Sequence, residues 1–239
     1  MKIVSLVPSI TESLFDFGLT ETEVVGRTKF CIHPKELIKN VQVIGGTKNL
    51  IIEKIRALKP DLIIANKEEN VKEQVEELQK DFKVWVTNIS NIEDNYYLLK
   101  NLGNLLGKEE IAQKYNLKIY EIFQDLQDVP RRKCAYLIWK NPYMTVGSDT
   151  FIHEILDKIG FDNIFKNEKR YPEISVENLK SVDYIFLSSE PFPFQQKHID
   201  ELQLQLPDAK IILVDGEAFS WYGTHLAKCE VYFKTLQNI

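Results

Sequence analysis

The sequence predicts an α/β protein, and three features of its 239 residues support this prediction. Short apolar runs rich in β-branched residues recur along the chain, and a helical pattern follows each of them. Several of these runs are continuously apolar, which is typical of strands buried on both faces of a parallel sheet. A long helical segment near the middle of the chain separates the strands into two groups.

The strands are predicted from the apolar runs, taken in chain order. The first half of the chain contains such runs at Ile3–Val7, Val24–Val25, Val41–Ile44, Asp61–Ala65 and Val84–Thr87. The second half contains them at Cys134–Trp139, Tyr184–Leu187 and Lys210–Val214.

The central helix is predicted over Glu109–Val129, a stretch of 21 residues without glycine or proline. At 1.5 Å per residue, such a helix is about 31 Å long. It is either a crossover helix within one domain or a rigid strut between two lobes. Apolar residues spaced three and four apart form a stripe on it, namely Ala112, Tyr115, Ile119, Ile122, Leu126 and Val129.

Two similar segments favour the two-lobe interpretation. Residues 55–65 read IRALKPDLIIA and residues 177–187 read ENLKSVDYIFL. Each combines the end of a helix, an aspartate and a buried strand. We therefore predict an N-terminal α/β lobe over residues 1–90, connecting helices over 91–130, and a C-terminal α/β lobe over 131–239.

Charge and targeting signals exclude several classes of protein. The chain has 30 Lys and Arg against 35 Asp and Glu, a net charge of −5, so a general nucleic-acid binder is disfavoured. No apolar segment approaches the roughly 20 residues of a membrane span, and no signal peptide is evident. Three cysteines without CxxC spacing fit a reducing compartment. These features predict a cytoplasmic protein, or a periplasmic or surface-anchored one if a leader was removed.

Motifs of common enzymes are missing. The sequence contains no GxxxxGK[ST] loop, no GxGxxG after a strand and no GxSxG elbow. His153-Glu154 begins like a zinc-protease helix, but the second histidine of that motif is absent. We therefore expect a non-enzymatic protein that requires no cofactor. An α/β enzyme with a nonlocal site is the alternative, and Cys31 with His33 is its candidate nucleophile and base.

The distinctive side chains follow the predicted strands, where open α/β sheets bind their ligands. Aromatic residues are prominent there and suit a flat, partly apolar ligand, although each could instead cover the core of its lobe. They are Phe30, Trp139, Tyr143, Phe219, Trp221 and Tyr222. Ser9, after the first strand, is expected to form a capping box with Glu12 and could also face an anionic ligand group.

A metal site is a second hypothesis. Cys31 and His33 lie two residues apart, and His225 is available elsewhere in the chain. Thiolate and imidazole bind zinc, iron or cobalt, although a structural site needs four ligands. On this hypothesis the protein binds or delivers metal inside the cell; otherwise Cys31 is a buried thiol and His33 a hydrogen-bonded imidazole.

Four blocks of sequence resemble the helical-backbone (class III) substrate-binding proteins of ABC importers. They are VPSITE, GGTKNLIIEKIRALKPDLIIAN, NPYMTVGSDTFIHEIL and DGEAFSWYG, and they lie in the order of that family. The family contains cobalamin, iron-siderophore and haem binding proteins, and this sequence is most similar to the cobalamin branch. The resemblance implies two Rossmann-like lobes joined by one long backbone helix, with a ligand cleft between the lobes.

The resemblance also implies a ligand, a partner and a set of site residues. The ligand is expected to be a cobalamin-like corrinoid, haem or another ferric chelate, bound as cargo, and the partner an ABC importer permease. Asn66 stands where similar cobalamin binders carry a tryptophan. Acidic residues expected to meet the permease are Glu69 and Glu73 on the N-terminal lobe and Glu201 on the C-terminal lobe. The ligand-binding residues that the resemblance implies are Ser9, Phe30, Thr47, Asn66, Trp139, Pro142, Tyr143, Phe219 and Trp221. Cys31, His33, Lys48 and Tyr222 are expected to bind the ligand because they also follow the predicted strands.

Overall fold

Two parallel β-sheets, each in its own unit, organise the chain. The computed structural model describes all residues from Met1 to Ile239. Unit 1 consists of Met1–Ile89, Glu93–Ile119 and Tyr222–Lys228, and unit 2 of Ser90–Ile92, Tyr120–Trp221 and Cys229–Ile239. The α/β class with two lobes of parallel sheet is thus confirmed.

Unit 1 is built on a five-stranded parallel sheet in the order β3-β2-β1-β4-β5. Its strands are β1 (Ile3–Ser5), β2 (Val24–Arg27), β3 (Gln42–Val43), β4 (Leu62–Asn66) and β5 (Val84–Thr87). Its helices are α1 (Pro8–Asp16), α2 (Lys35–Ile38), α3 (Ile52–Leu58), α4 (Lys72–Gln79), α5 (Ile92–Leu106) except for its first residue, and the first part of α6 (Glu109–Gln124). Every residue of β4 is buried, as its continuous apolar sequence predicts.

The helix α1 begins differently from the prediction. Its N-cap is Val7, Pro8 occupies the first helical turn, and no side chain caps the helix. Proline fits the start of a helix because its φ is fixed and it has no N–H to satisfy. Ser9 therefore lies inside the helix, and the predicted capping box between Ser9 and Glu12 is wrong.

The central helix α6 is shorter than predicted, because it ends at Gln124 instead of Val129. The side chain of Gln237 bonds the backbone beyond this end: its Oε1 accepts from the N–H of Gln127 at 3.1 Å, and its Nε2 donates to the carbonyl of Gln127 at 3.0 Å. The backbone groups of Gln127 are thus satisfied without further helix. The division between the two units falls inside α6, between Ile119 and Tyr120.

Unit 2 contains a four-stranded parallel sheet in the order β11-β10-β6-β8 and a small antiparallel pair, β7 with β9. Its strands are β6 (Arg132–Leu137), β7 (Tyr143–Met144), β8 (Phe161–Asn163), β9 (Glu173–Ile174), β10 (Tyr184–Ser188) and β11 (Lys210–Val214). Its helices are α7 (Phe151–Lys158), α8 (Gln196–Gln203), α9 (Gly216–Ser220) and α10 (Glu230–Gln237). The sequence did not predict β7, β8 or β9, which have only two or three residues each.

The two similar sequence segments form equivalent parts of the two sheets. Residues 55–65 contain the start of β4, and residues 177–187 contain most of β10. Each of these strands pairs in parallel with the first strand of its own sheet, β4 with β1 and β10 with β6. None of the helices combines the length and the apolar character that crossing a membrane requires.

The turn between Gly45 and Leu50 shapes the loop that carries Thr47 and Lys48. Gly45 has a φ of +119°, and a Cβ at this position would overlap the carbonyl oxygen of Asn49. We expect Gly45→Ala to lower the free energy of unfolding by about 3 kcal/mol, since strain and overlap add. Urea unfolding measures this change.

The matched control is Gly18→Ala. Gly18 has a φ of +84° with no atom within 4 Å of the added Cβ, so only the backbone strain of about 1 kcal/mol applies. Equal losses of unfolding free energy in the two variants would contradict the claim that a Cβ at Gly45 overlaps the Asn49 carbonyl.

Candidate functional site

In unit 1, an exposed aromatic side chain lies beyond the carboxyl end of β2. Phe30 is 50% exposed, and the ammonium group of Lys29 lies 4.9 Å from the centre of its ring. His33, three residues after Phe30, is half-buried. Lys48 is exposed, and its Nζ donates to the carbonyl of Glu68 at 2.5 Å. A large apolar ring exposed beside a cationic side chain is a surface on which a flat ligand can stack.

Four other predicted site residues of unit 1 are buried, namely Ser9, Cys31, Thr47 and Asn66. The Asn66 side chain is engaged within unit 1: its Oδ1 accepts from the N–H groups of Glu68 and Glu69, and its Nδ2 donates to Thr87 Oγ1 at 3.1 Å. Asn66 therefore shapes the loop after β4.

The buried thiol of Cys31 lies among hydroxyl groups. Thr11 Oγ1 donates to the Cys31 sulfur at 3.1 Å, and Thr28 Oγ1 lies 3.2 Å from it. Burial raises the pKa of Cys31, which favours the neutral thiol over the nucleophilic thiolate. No group of three or more His, Cys, Asp or Glu residues is placed to hold a metal ion. The geometry thus supports neither the metal hypothesis nor the nucleophile hypothesis for Cys31 and His33.

In unit 2, the exposed aromatic side chain is Trp139, which follows β6 and is 41% exposed. Its ring packs edge-on against Phe192, with 5.6 Å between the ring centres. Pro142 is exposed and Tyr143 is half-buried in the segment that continues from Trp139. The carboxyl end of this sheet therefore also presents an apolar surface.

The remaining predicted aromatic residues are buried. Phe219 is part of the core of unit 2, with its ring centre 4.9 Å from that of Tyr136. Trp221 donates from Nε1 to Glu190 Oε1 at 3.0 Å. Tyr222 begins the segment that belongs to unit 1. All of these aromatic residues follow predicted strands, as Phe30 and Trp139 do. This position in the sequence did not distinguish exposed rings from buried ones.

Glu190 is a further candidate site residue, which the sequence analysis did not single out. It follows β10 and is partly buried, and its Oε1 accepts from Ser220 Oγ at 2.7 Å as well as from Trp221. Burial, reinforced by the carboxylates of Glu217 and Asp215, raises the pKa of Glu190 despite these hydrogen bonds. Its place directly after a strand was the available sequence signal.

The acidic residues expected at the permease lie on the surface or near it. Glu73 is exposed in the first turn of α4, and Glu69 is half-buried before that helix. Glu201 is exposed on α8 and forms an ion pair with Lys140.

A buried ionic network within unit 1 was missed entirely. Glu12 on α1 bonds His225 Nδ1 through Oε2 and Lys228 Nζ through Oε1, both at 2.8 Å. Lys228 also donates to Asp16 at 2.7 Å, and Thr224 Oγ1 donates to Asp16 at 2.6 Å. The network fastens the 3₁₀ turns of Gly223–Lys228 to α1. Its partners are more than 200 residues apart in sequence, so no local pattern could reveal it.

Comparison with known proteins identifies the family. A model of the periplasmic binding protein family matches residues 3–207. A vitamin B12-binding protein of Vibrio vulnificus is 26% identical over 195 residues, which cover 78% of this chain and 71% of the relative.

Two solved structures share the fold. A periplasmic vitamin B12 binding protein of Vibrio cholerae superimposes with a TM-score of 0.83 at 19% identity, over 99% of this chain and 96% of the other. A periplasmic heme binding protein of Pseudomonas aeruginosa superimposes with a TM-score of 0.84 at 21% identity, over 98% of this chain and 91% of the other.

These findings correct one expectation and confirm another. The prediction of a cytoplasmic protein is wrong, because the matching family consists of periplasmic binding proteins and both solved structures are periplasmic. Metal delivery inside the cell and α/β enzyme chemistry are not favoured for a family of solute-binding proteins. The resemblance to class III substrate-binding proteins of ABC importers is confirmed, and the chain belongs to the periplasmic binding protein family.

Proposed function

We propose that this substrate-binding protein binds a metal chelate of the corrinoid or ferric class, with a cobalamin-like corrinoid as the preferred ligand. The observation that carries the proposal is the exposure of one large ring beyond a strand end in each unit, Phe30 in unit 1 and Trp139 in unit 2. A macrocycle has broad apolar faces, and stacking on such rings is favourable. The relatives described as vitamin B12-binding and heme-binding proteins support this class.

The chelate is cargo in this proposal, so the protein needs no resident cofactor. We further propose that an ABC importer permease receives the ligand. Acidic residues on separate units, Glu73 on α4 and Glu201 on α8, are the candidate contacts for cationic groups of that permease. Exposed charges contribute little stability to the protein itself, so Glu73 can bind a partner directly, and Glu201 can exchange its ion pair with Lys140 for a cationic group of the permease.

Tryptophan fluorescence tests the ligand class. The chain has three tryptophans, Trp85, Trp139 and Trp221. We expect saturable quenching by cyanocobalamin, haemin or a ferric siderophore, after correction for ligand absorption with free tryptophan. The quenching should decrease in Trp139→Phe and remain unchanged in Trp85→Phe. No saturable response to any of the three ligands would refute the proposal.

A further inference from the structure

The two carboxyl oxygens of Glu190 have different surroundings. Oε1 accepts both hydrogen bonds that reach this side chain, from Ser220 Oγ at 2.7 Å and from Trp221 Nε1 at 3.0 Å. Oε2 has no hydrogen-bond or ion-pair partner in the protein, yet it is not sealed from solvent. One oxygen therefore fixes the carboxyl group, and the other is available to a bound molecule.

The position of Glu190 is held by its neighbours. Ser188 Oγ donates to the Glu190 carbonyl at 2.5 Å, next to the end of β10. A Cβ at Gly216 would lie 2.5 Å from Glu190 Cγ, so only glycine at 216 leaves room for this side chain. The Trp221 ring that donates to Oε1 is itself buried. The direction of Oε2 is thus set before a ligand arrives, which lowers the entropic cost of binding.

The surroundings of Glu190 do not explain why this residue is an acid. It forms no ion pair, and Glu217 and Asp215 are the charged neighbours that act on it together with burial. A partly buried carboxylate without a cation costs stability. Glutamine would accept the same two hydrogen bonds through its carbonyl oxygen without that cost. A glutamate at position 190 is therefore better explained by ligand binding than by the stability of the fold.

We propose that Glu190 Oε2 accepts a hydrogen bond from a primary amide on the edge of the ligand and so selects amide-bearing corrinoids over chelates edged with carboxylates. The inference rests on the proposed function and names a residue that determines its specificity. A carboxylate oxygen accepts strongly from an amide N–H. It repels a ligand carboxylate, and Asp215 and Glu217 add to this repulsion.

Two corrinoids that differ only at their edge test the proposal. Cobinamide carries amides around the corrin ring, whereas cobyrinic acid carries carboxylates. Calorimetric titration gives the ratio of their dissociation constants for the wild type, Glu190→Gln and Glu217→Gln. The wild type should prefer cobinamide by about 100-fold, because a site built for a hydrogen bond rejects a ligand that cannot supply it. Glu190→Gln should reduce this preference about tenfold or more.

Glu217→Gln is the matched control, since it removes one negative charge near Glu190 without changing the group that bonds the ligand. It should change the preference less than about threefold. An unchanged preference in Glu190→Gln, or an equal change in both variants, overturns the proposal. Binding of both corrinoids with equal affinity by the wild type also overturns it, while the proposed function stands. Failure of the wild type to bind either corrinoid overturns this proposal and the corrinoid preference in the proposed function, whereas the ferric chelates are decided by the fluorescence titration.

A measurement on the wild type keeps the test independent of any variant. Protonation of Glu190 turns its carboxylate into a hydrogen-bond donor, so the preference for cobinamide should weaken as the pH falls through the raised pKa of this group. The other titratable groups coupled to Glu190 are Glu217, Asp215 and Tyr136. A preference that does not weaken between pH 7.5 and pH 4.5 overturns the proposal, because a pKa raised above 4.5 lies within or above this range.

Discussion

Replacing Glu12 with glutamine is expected to lower the free energy of unfolding by about 2–3 kcal/mol. The Glu12 side chain is only 5% exposed and bonds both His225 and Lys228. Removing one member of a buried ion pair typically costs about 3–5 kcal/mol. We expect a smaller loss of unfolding free energy than this typical value, because Lys228 is partly exposed and keeps Asp16 as a partner. Urea unfolding of wild type and variant measures the difference.

The control for this variant is Glu53→Gln. Glu53 also forms an ion pair, with Arg56 at 2.7 Å, but its side chain is 81% exposed. Exposed pairs contribute about 0–1 kcal/mol, so this variant should unfold almost like the wild type. A loss as large for Glu53→Gln as for Glu12→Gln would show that burial is not the reason for the effect.

The effect of Glu12→Gln should depend on pH in a defined direction. Burial alone would raise the pKa of Glu12, but the hydrogen bonds and charges of His225 and Lys228 outweigh it and lower the pKa below 4.5. A lowered pKa means that the carboxylate stabilises the folded state above the pKa of the unfolded chain, and that this stability is lost as the pH falls through the folded pKa. The difference in free energy of unfolding between wild type and variant should therefore be largest near pH 7 and decrease below about pH 4.5.

Removing the Trp139 ring is expected to weaken ligand binding about 10–100-fold in Trp139→Ala, while the free energy of unfolding changes little. A stacked aromatic anchor contributes about 1–3 kcal/mol to binding. Trp139 is partly exposed and packs on Phe192 from one side, so its loss leaves no closed cavity in the core. Calorimetric titration with the ligand that quenches the wild type measures the affinity.

Two comparison variants make the result specific. Trp139→Phe keeps a smaller ring and should lose less affinity than Trp139→Ala. Leu204→Ala removes another exposed apolar side chain of unit 2, one that is 87% exposed, and should leave the affinity unchanged. Wild-type affinity in Trp139→Ala would exclude Trp139 from the binding surface.

Much of the fold could be predicted from local patterns. The apolar runs located β4, β5, β10 and β11 to within a residue at each end, because strands buried in a parallel sheet have a continuous apolar signature. The ends of α1 and α6 could not be predicted in the same way. The start of α1 depends on Pro8, which occupies its first turn. The end of α6 is followed by backbone that bonds the side chain of Gln237, a residue on a helix distant in sequence.

The candidate site could be predicted only in part, for a related reason. The sequence correctly placed aromatic residues after the strands, and Phe30 and Trp139 are exposed there. Phe219 occupies a similar position in sequence but lies in the core against Tyr136. Burial depends on which elements pack on a side chain, and that information is spread over the whole chain. The same limit hid the contacts of Glu12 with His225 and of Glu190 with Trp221.

Calorimetric titration of the wild-type protein with cyanocobalamin tests the central claim most directly. A substrate-binding protein for a corrinoid should bind one cyanocobalamin per chain, with saturation at micromolar concentration or below and a negative heat-capacity change as apolar surface is buried. The absence of binding heat at several temperatures, together with no cyanocobalamin retained by the protein in equilibrium dialysis, would contradict the proposed corrinoid ligand.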